Sequence, residues 1–102
     1  MTAEQYYEEG RQYFKHQQYE QAINAYKRSI ELDEEYARPW LGLGNVYNNL
    51  QQYEQAINAY KRAIDLDKKY AGPWHGLGNV YNNLQQYEQA INAYIRLSLI
   101  HI

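Results

Sequence analysis

The chain has 102 residues, 45% of them hydrophobic and 22% charged, which is enough for one compact unit with an economical core. It has no cysteine, which excludes disulfides, thiolate metal sites and cysteine nucleophiles and fits a reducing compartment. Its net charge of −2 argues against a general nucleic-acid or membrane binder.

Met1-Thr2-Ala3-Glu4-Gln5 lacks the basic start and apolar run of a signal peptide, and no segment approaches the roughly 20 apolar residues that span a bilayer. A cytoplasmic protein is the expectation. In chain order, apolar spacing predicts helices over Ala3 to Lys15, Tyr19 to Leu32, Ala37 to Leu50, Tyr53 to Leu66, Ala71 to Leu84, and from Tyr87 into the tail. The signal is clearest from Tyr53 onward, where Tyr53, Ala56, Ile57, Tyr60, Ala63 and Ile64 share one helical face. Trp40, Leu43, Tyr47 and Leu50 mark a second, shorter stripe. Pro39 and Pro73 suit a first helical turn, where the missing N–H costs nothing, and would break a helix running through them.

The ten letters QQYEQAINAY occur unchanged at Gln17 to Tyr26, Gln51 to Tyr60 and Gln85 to Tyr94, a period of 34 residues. Gln17 to Leu50 and Gln51 to Leu84 differ at only six positions: Ser29/Ala63, Glu31/Asp65, Glu34/Lys68, Glu35/Lys69, Arg38/Gly72 and Leu41/His75. The expected organisation is one domain of three units, residues 3–36, 37–70 and 71–102, each a pair of helices. A single helix pair cannot cover its own apolar stripe, and stacked identical pairs can. The repeated phrase therefore reads as scaffold, with Tyr19, Tyr53 and Tyr87 packing and its Gln and Glu side chains facing water.

Trp40, Leu43-Gly44, Tyr47, Ala56, Tyr60 and Ala63, repeated at Trp74, Leu77-Gly78, Tyr81, Ala90 and Tyr94, resemble the tetratricopeptide repeat family over essentially the whole chain. The first unit matches less well: Tyr6 replaces the Trp and Glu9 the Leu, while Gly10, Tyr13, Ala22 and Tyr26 remain. Glu34 and Lys68 stand where the family places a proline. The resemblance implies an all-α, right-handed solenoid of antiparallel helix pairs, about six helices in all, acting as a non-enzymatic scaffold for protein or peptide ligands.

It also implies that the first helix of each unit lines a concave groove through its second, fifth, ninth, twelfth and thirteenth positions. Those are Glu4, Tyr7, Arg11, Phe14 and Lys15; Arg38, Leu41, Asn45, Asn48 and Asn49; then Gly72, His75, Asn79, Asn82 and Asn83. The asparagines form two matching triplets. An amide offers both donor and acceptor, so such a row suits the main chain of an extended peptide, with Tyr7 and Phe14 as apolar footing. Chaperone-binding members of the family hold a C-terminal carboxylate through Lys, Arg and Asn at places occupied here by Tyr7, Arg11, Gly42, Gly72 and Gly76. That clamp is absent.

Other chemistry has no footing in the letters. Gly42-Leu43-Gly44-Asn45 and its copy at Gly76 lack the preceding strand and following Lys of a phosphate loop. His16, His75 and His101 have no partner carboxylate at ligand spacing, and neither Ser29 nor Ser98 has a nucleophile context, so no metal, cofactor or catalytic residue is expected. RNA-reading arrays share the helical-pair rhythm, but this groove lacks the dense basic lining phosphates need. The second function class is self-assembly. Where earlier units continue with Lys61-Arg62-Ala63-Ile64-Asp65-Leu66, the third has Ile95, Arg96, Leu97, Ser98, Leu99 and Ile100, then His101 and Ile102. Ile95, Leu97, Leu99, Ile100 and Ile102 are accordingly expected to join copies into a homodimer or higher oligomer, with stacking on the Tyr6, Tyr7 and Tyr13 end as the other geometry.

Overall fold

The computed structural model describes residues 1–100, which form six helices: α1 (Ala3–Lys15), α2 (Tyr19–Leu32), α3 (Arg38–Asn49), α4 (Tyr53–Leu66), α5 (Ala71–Asn83) and α6 (Tyr87–Ile100). Each boundary has a local cause. At the start of α1, Thr2 and Gln5 form a reciprocal capping box: the Gln5 N–H donates to Thr2 Oγ1 at 3.1 Å and the Thr2 N–H to Gln5 Oε1 at 2.7 Å. Pro39 and Pro73 sit in the first turns of α3 and α5. Leu50 and Leu84, expected inside helices, are the C-cap residues of α3 and α5.

The first letter of the repeated phrase ends one helix before the rest begins the next. Gln17, Gln51 and Gln85 adopt φ near +60° (61°, 60° and 61°). Around Gln51, its N–H donates to the Asn48 carbonyl at 3.0 Å while the Gln52 N–H reaches the Tyr47 carbonyl at 2.8 Å. This is the left-handed closure of a helix that glycine ordinarily supplies. Asp33 and Asp67 terminate α2 and α4 in extended conformation, and each carboxylate accepts the N–H two residues on, from Glu35 and Lys69, at 3.1 Å.

α1 packs on α2, α3 on α4 and α5 on α6, and successive pairs join through α2 with α3 and α4 with α5, giving an α-solenoid of 40 × 27 × 18 Å. The joints are aromatic. Tyr26 of α2 lies against Gly10 of α1 and Gly42 of α3, and Tyr60 of α4 lies against Gly44 of α3 and Gly76 of α5. Around these rings gather Ala22, Leu43, Val46 and Ala59 in one core, and Ala56, Ile64, Leu77, Val80, Ala90 and Ala93 in the next. Ser29, in the place of Ala63, is fully buried because its hydroxyl donates to the Ala3 carbonyl at 2.7 Å.

One expectation fails in the third unit. Tyr19 and Tyr53 are half-buried, but Tyr87 is 55% exposed, since among the described residues no helix covers α6 as α3 covers α2. His101 and Ile102 lie outside the described residues.

Three substitutions test this packing in urea unfolding. Gly76→Ala places a Cβ inside the Tyr60 ring and should cost about 1–3 kcal/mol despite alanine's better helix propensity. Gly72→Ala meets only the flexible end of Leu41 and should cost clearly less. Gln51→Gly relieves a left-handed residue and should stabilise the chain by roughly 0.5–1 kcal/mol.

Candidate functional site

The groove-side residues of α1 and α3 converge on one cleft. Tyr7, Arg11, Phe14 and Lys15 from α1 and Leu41 and Asn45 from α3 line a cavity of about 390 Å³ whose inner wall includes Tyr26 and Gly42. Tyr60, which is buried, and Tyr94, which is partly exposed, each reach an asparagine of the preceding helix through the hydroxyl. The Tyr60 hydroxyl donates to Asn45 Oδ1 at 2.6 Å, and the Tyr94 hydroxyl donates to Asn79 Oδ1 at 2.7 Å. Burial pushes the Tyr60 pKa well above the usual tyrosine range, so the hydroxyl stays a proton donor at any working pH. With its carbonyl oxygen engaged, each asparagine has its NH₂ group left to offer. The first unit has Arg11 in place of this asparagine, so Tyr26 has no corresponding amide to hold.

The remaining candidates are distributed along the stack. Arg38 stands outside the first cleft, over the Tyr70 ring at 5.8 Å, in a second cavity of about 370 Å³ shared with Tyr36, Asp33 and Asp67. The Asn49 amide donates to the Tyr19 hydroxyl at 3.3 Å, tying α3 back to α2. Asn48 buries its carbonyl oxygen without a partner. His75 lies 6.4 Å from the Tyr94 ring, beside Asn79, while Asn82 and Asn83 are exposed at the end of α5. Among the described residues, no three His, Asp or Glu side chains meet as metal ligands would, and no helix is long and apolar enough to cross a membrane.

Sequence reasoning missed two groups of residues. Tyr36 and Tyr70, given no role from the sequence, stand beside the first cleft: Tyr36 is edge-on to Tyr7 at 5.7 Å, and burial first, then the Tyr7 hydroxyl, raises the pKa of both. Their 34-residue separation was the available signal. On the outer face, Arg62 lies over Trp40 at 5.9 Å and Arg96 over Trp74 at 5.5 Å. These two tryptophans floor matching cavities of about 440 and 480 Å³, a repeated feature that helical periodicity alone does not distinguish from ordinary core.

Several solved structures share this architecture. The second TPR of Spaghetti (RPAP3) bound to HSP90 peptide SRMEEVD is 27% identical, with a TM-score of 0.92 over 98% of this chain and 93% of that one. The crystal structure of MamA is 26% identical at a TM-score of 0.92, but this chain spans only 58% of its length. The Arabidopsis OM64 TPR domain, 22% identical with a TM-score of 0.93 over 97% of this chain and 82% of that one, agrees in fold. No curated protein sequence matches. The family described as TPR repeat matches residues 10–51 and 44–85, and that described as Tetratricopeptide repeat matches residues 74–101. With three-quarters of its length inside the first of these matches and the helix pairs to go with it, the chain belongs to the tetratricopeptide repeat family, whose members are protein-interaction scaffolds and not enzymes.

Proposed function

We propose that the chain is one domain of three units, residues 3–36, 37–70 and 71–102, that binds an extended peptide in the groove lined by α1, α3 and α5. The observation that carries this reading is the pair of oriented amides. Asn45 and Asn79 sit one repeat apart, each with its oxygen held by the tyrosine fifteen residues on, Tyr60 or Tyr94, and its NH₂ available to a peptide carbonyl. Tyr7, Phe14 and Leu41 supply apolar footing at one end of the groove, with Asn48, Asn49, His75, Asn82 and Asn83 further along it. Arg11, Lys15 and Arg38 favour acidic side chains. The Spaghetti domain holds an acidic heptapeptide, SRMEEVD, at 27% identity to this chain. Without the basic fork for a terminal carboxylate, recognition here rests on the peptide's main chain.

SRMEEVD and its C-terminally amidated form serve as probes in isothermal titration calorimetry. Asn45→Ala combined with Asn79→Ala should weaken binding by roughly 1–3 kcal/mol, because peptide carbonyls lose their donors. Amidation should change the affinity by less than about tenfold. An unaltered affinity in the double variant removes the amides from the mechanism, and a larger amidation effect reveals a carboxylate site.

A second reading, self-assembly through α6, is favoured by one observation. Ile95 and Leu99 are 51% and 54% exposed where earlier units carry Lys61 and Asp65, and Leu97 and Ile100 are half-buried beside them. Ile102 lies outside the described residues. Pairing two such helices doubles the apolar area removed from water, against a fixed cost in lost freedom. Ile95→Lys with Leu99→Asp restores the earlier letters and should yield a monomer by analytical ultracentrifugation. A parent chain already monomeric at about 100 μM is incompatible with a specific micromolar contact.

A further inference from the structure

Trp40 and Trp74 floor two cavities on the outer face whose apolar walls match letter for letter: Ile30, Leu43 and Ala59 around the first, Ile64, Leu77 and Ala93 around the second. Each is walled by three helices, α2, α3 and α4 or α4, α5 and α6, and the Trp40 cavity stays open although α5 and α6 follow it. The mouths differ. Of the six positions at which Gln17 to Leu50 departs from Gln51 to Leu84, two reverse a charge, and they are neighbours: Glu34-Glu35 becomes Lys68-Lys69. The Trp74 indole N–H donates to the Lys68 carbonyl at 3.4 Å, which ties that turn to the ring, whereas the Trp40 Nε1 is buried without a partner.

The lysines make the second cavity amphipathic. Lys68 and Lys69 line a further hollow of about 570 Å³ that shares Ile64, Trp74 and Arg96 with the cavity of about 480 Å³, so the two compartments adjoin at the stacked Trp74 and Arg96 side chains. Around them stand four bases, Lys61, Lys68, Lys69 and Arg96, and one acid, Asp65. The matching residues of the preceding unit are two bases, Lys27 and Arg62, against three acids, Glu31, Glu34 and Glu35. Among the described residues none of the four bases beside Trp74 has a carboxylate within ion-pairing distance. Unpaired positive charge beside apolar walls selects an anion that carries hydrocarbon, and each compartment has the volume of a small-molecule site.

We propose that the Trp74 cavity binds a small amphipathic anion, a carboxylate or sulfonate on an aliphatic or aromatic body, with its head against Arg96, Lys68 and Lys69 and its body over Ile64, Leu77 and Ala93. Arg96 does two things there. Stacked 5.5 Å from the Trp74 ring, its guanidinium is already placed, and its N–H groups are left to donate to the anion as a fork. The Trp40 cavity offers the same walls with acids at its mouth and repels the same ligand. A free acid suits the site better than an acidic segment of a protein, because Asp and Glu bring polar main chain within two carbons of the carboxylate, and Ile64, Leu77 and Ala93 cannot pair it. The site lies outside the peptide groove and does not rest on it.

The chain has two tryptophans, so in ¹H–¹⁵N spectra of the intact ¹⁵N-labelled protein two indole N–H resonances report the two cavities separately. Dodecanoate is the probe, kept below its micellar range and in low salt so that exposed charges are not screened. The Trp74 indole should respond at a concentration at least about tenfold lower than the Trp40 indole. Lys68→Glu with Lys69→Glu, both exposed, restores the letters of the preceding unit and should remove that difference. Glu34→Lys with Glu35→Lys, exposed as well, should bring the Trp40 indole to the response of Trp74. Dodecyltrimethylammonium, the same hydrocarbon under the opposite charge, should show no preference for the Trp74 cavity. The proposal is overturned if the two indoles respond together, if the cation binds beside Trp74 as well as dodecanoate does, or if the Lys68→Glu, Lys69→Glu chain keeps the parent's Trp74 response. Shifts confined to Ile91, Ile95 and Leu99 overturn it in favour of adsorption on α6, and an equal Trp74 response to SRMEEVD overturns it in favour of an acidic protein segment.

Discussion

A tyrosine ring lodged between two glycines is the contact on which the rest of this solenoid depends. Tyr26 and Tyr60 each touch a glycine of their own unit and a glycine of the next, so three helices meet at one ring. Gly42 and Gly76 bring the neighbouring backbone onto the ring face, which any Cβ would hold away. Burying a ring of this size contributes on the order of 4–6 kcal/mol before the entropy of ordering it. The side chain is long enough that its hydroxyl emerges on the far side, where Tyr60 takes hold of Asn45. One residue thus sets both the spacing of the helices and the orientation of a groove amide.

This arrangement makes stability a matter of neighbours. No unit contains both glycines its tyrosine needs, so each ring is completed only when the following unit docks. Locally the phrase even works against itself, since it begins with a glutamine in a left-handed conformation that glycine would adopt with less strain. The docking of α3 on α2 and of α5 on α4 offsets that cost. At α6 the offset is missing: Tyr94 has Gly78 beneath it and no glycine above. Among the described residues the third ring is accordingly the least enclosed of the three, 37% exposed against 2% for Tyr26 and 1% for Tyr60.

The sequence was legible wherever one pattern decided the outcome. A 34-residue period, two prolines and a helical stripe in Tyr53 to Leu66 were sufficient for six helices in three pairs. It was misleading where identical letters have different surroundings. Tyr53 and Tyr87 follow the same two glutamines, and only the presence of a covering helix makes one half-buried and the other exposed. The asparagines at the ninth position of the second and third units are assigned to a groove by family resemblance alone. That a tyrosine hydroxyl donates to each of their carbonyl oxygens follows from a contact fifteen residues away across a helix pair, which periodicity does not encode. Arg62 and Arg96 look like any solvated base on a helix, and their seats over Trp40 and Trp74 depend on how the two helices within one pair lie against each other.

The same tyrosine position sets the two groove amides differently in the second and third units. Tyr94 donates to Asn79 at 2.7 Å while more than a third of its side chain faces solvent, so Asn79 is held by a ring that is itself held on one side only. Asn45, by contrast, is fixed by Tyr60, which is enclosed. The two amides therefore differ in how firmly they are set: a ligand that takes the Asn45 NH₂ meets a group already fixed by an enclosed ring, whereas one that takes the Asn79 NH₂ also restrains the Tyr94 ring and bears that ordering cost.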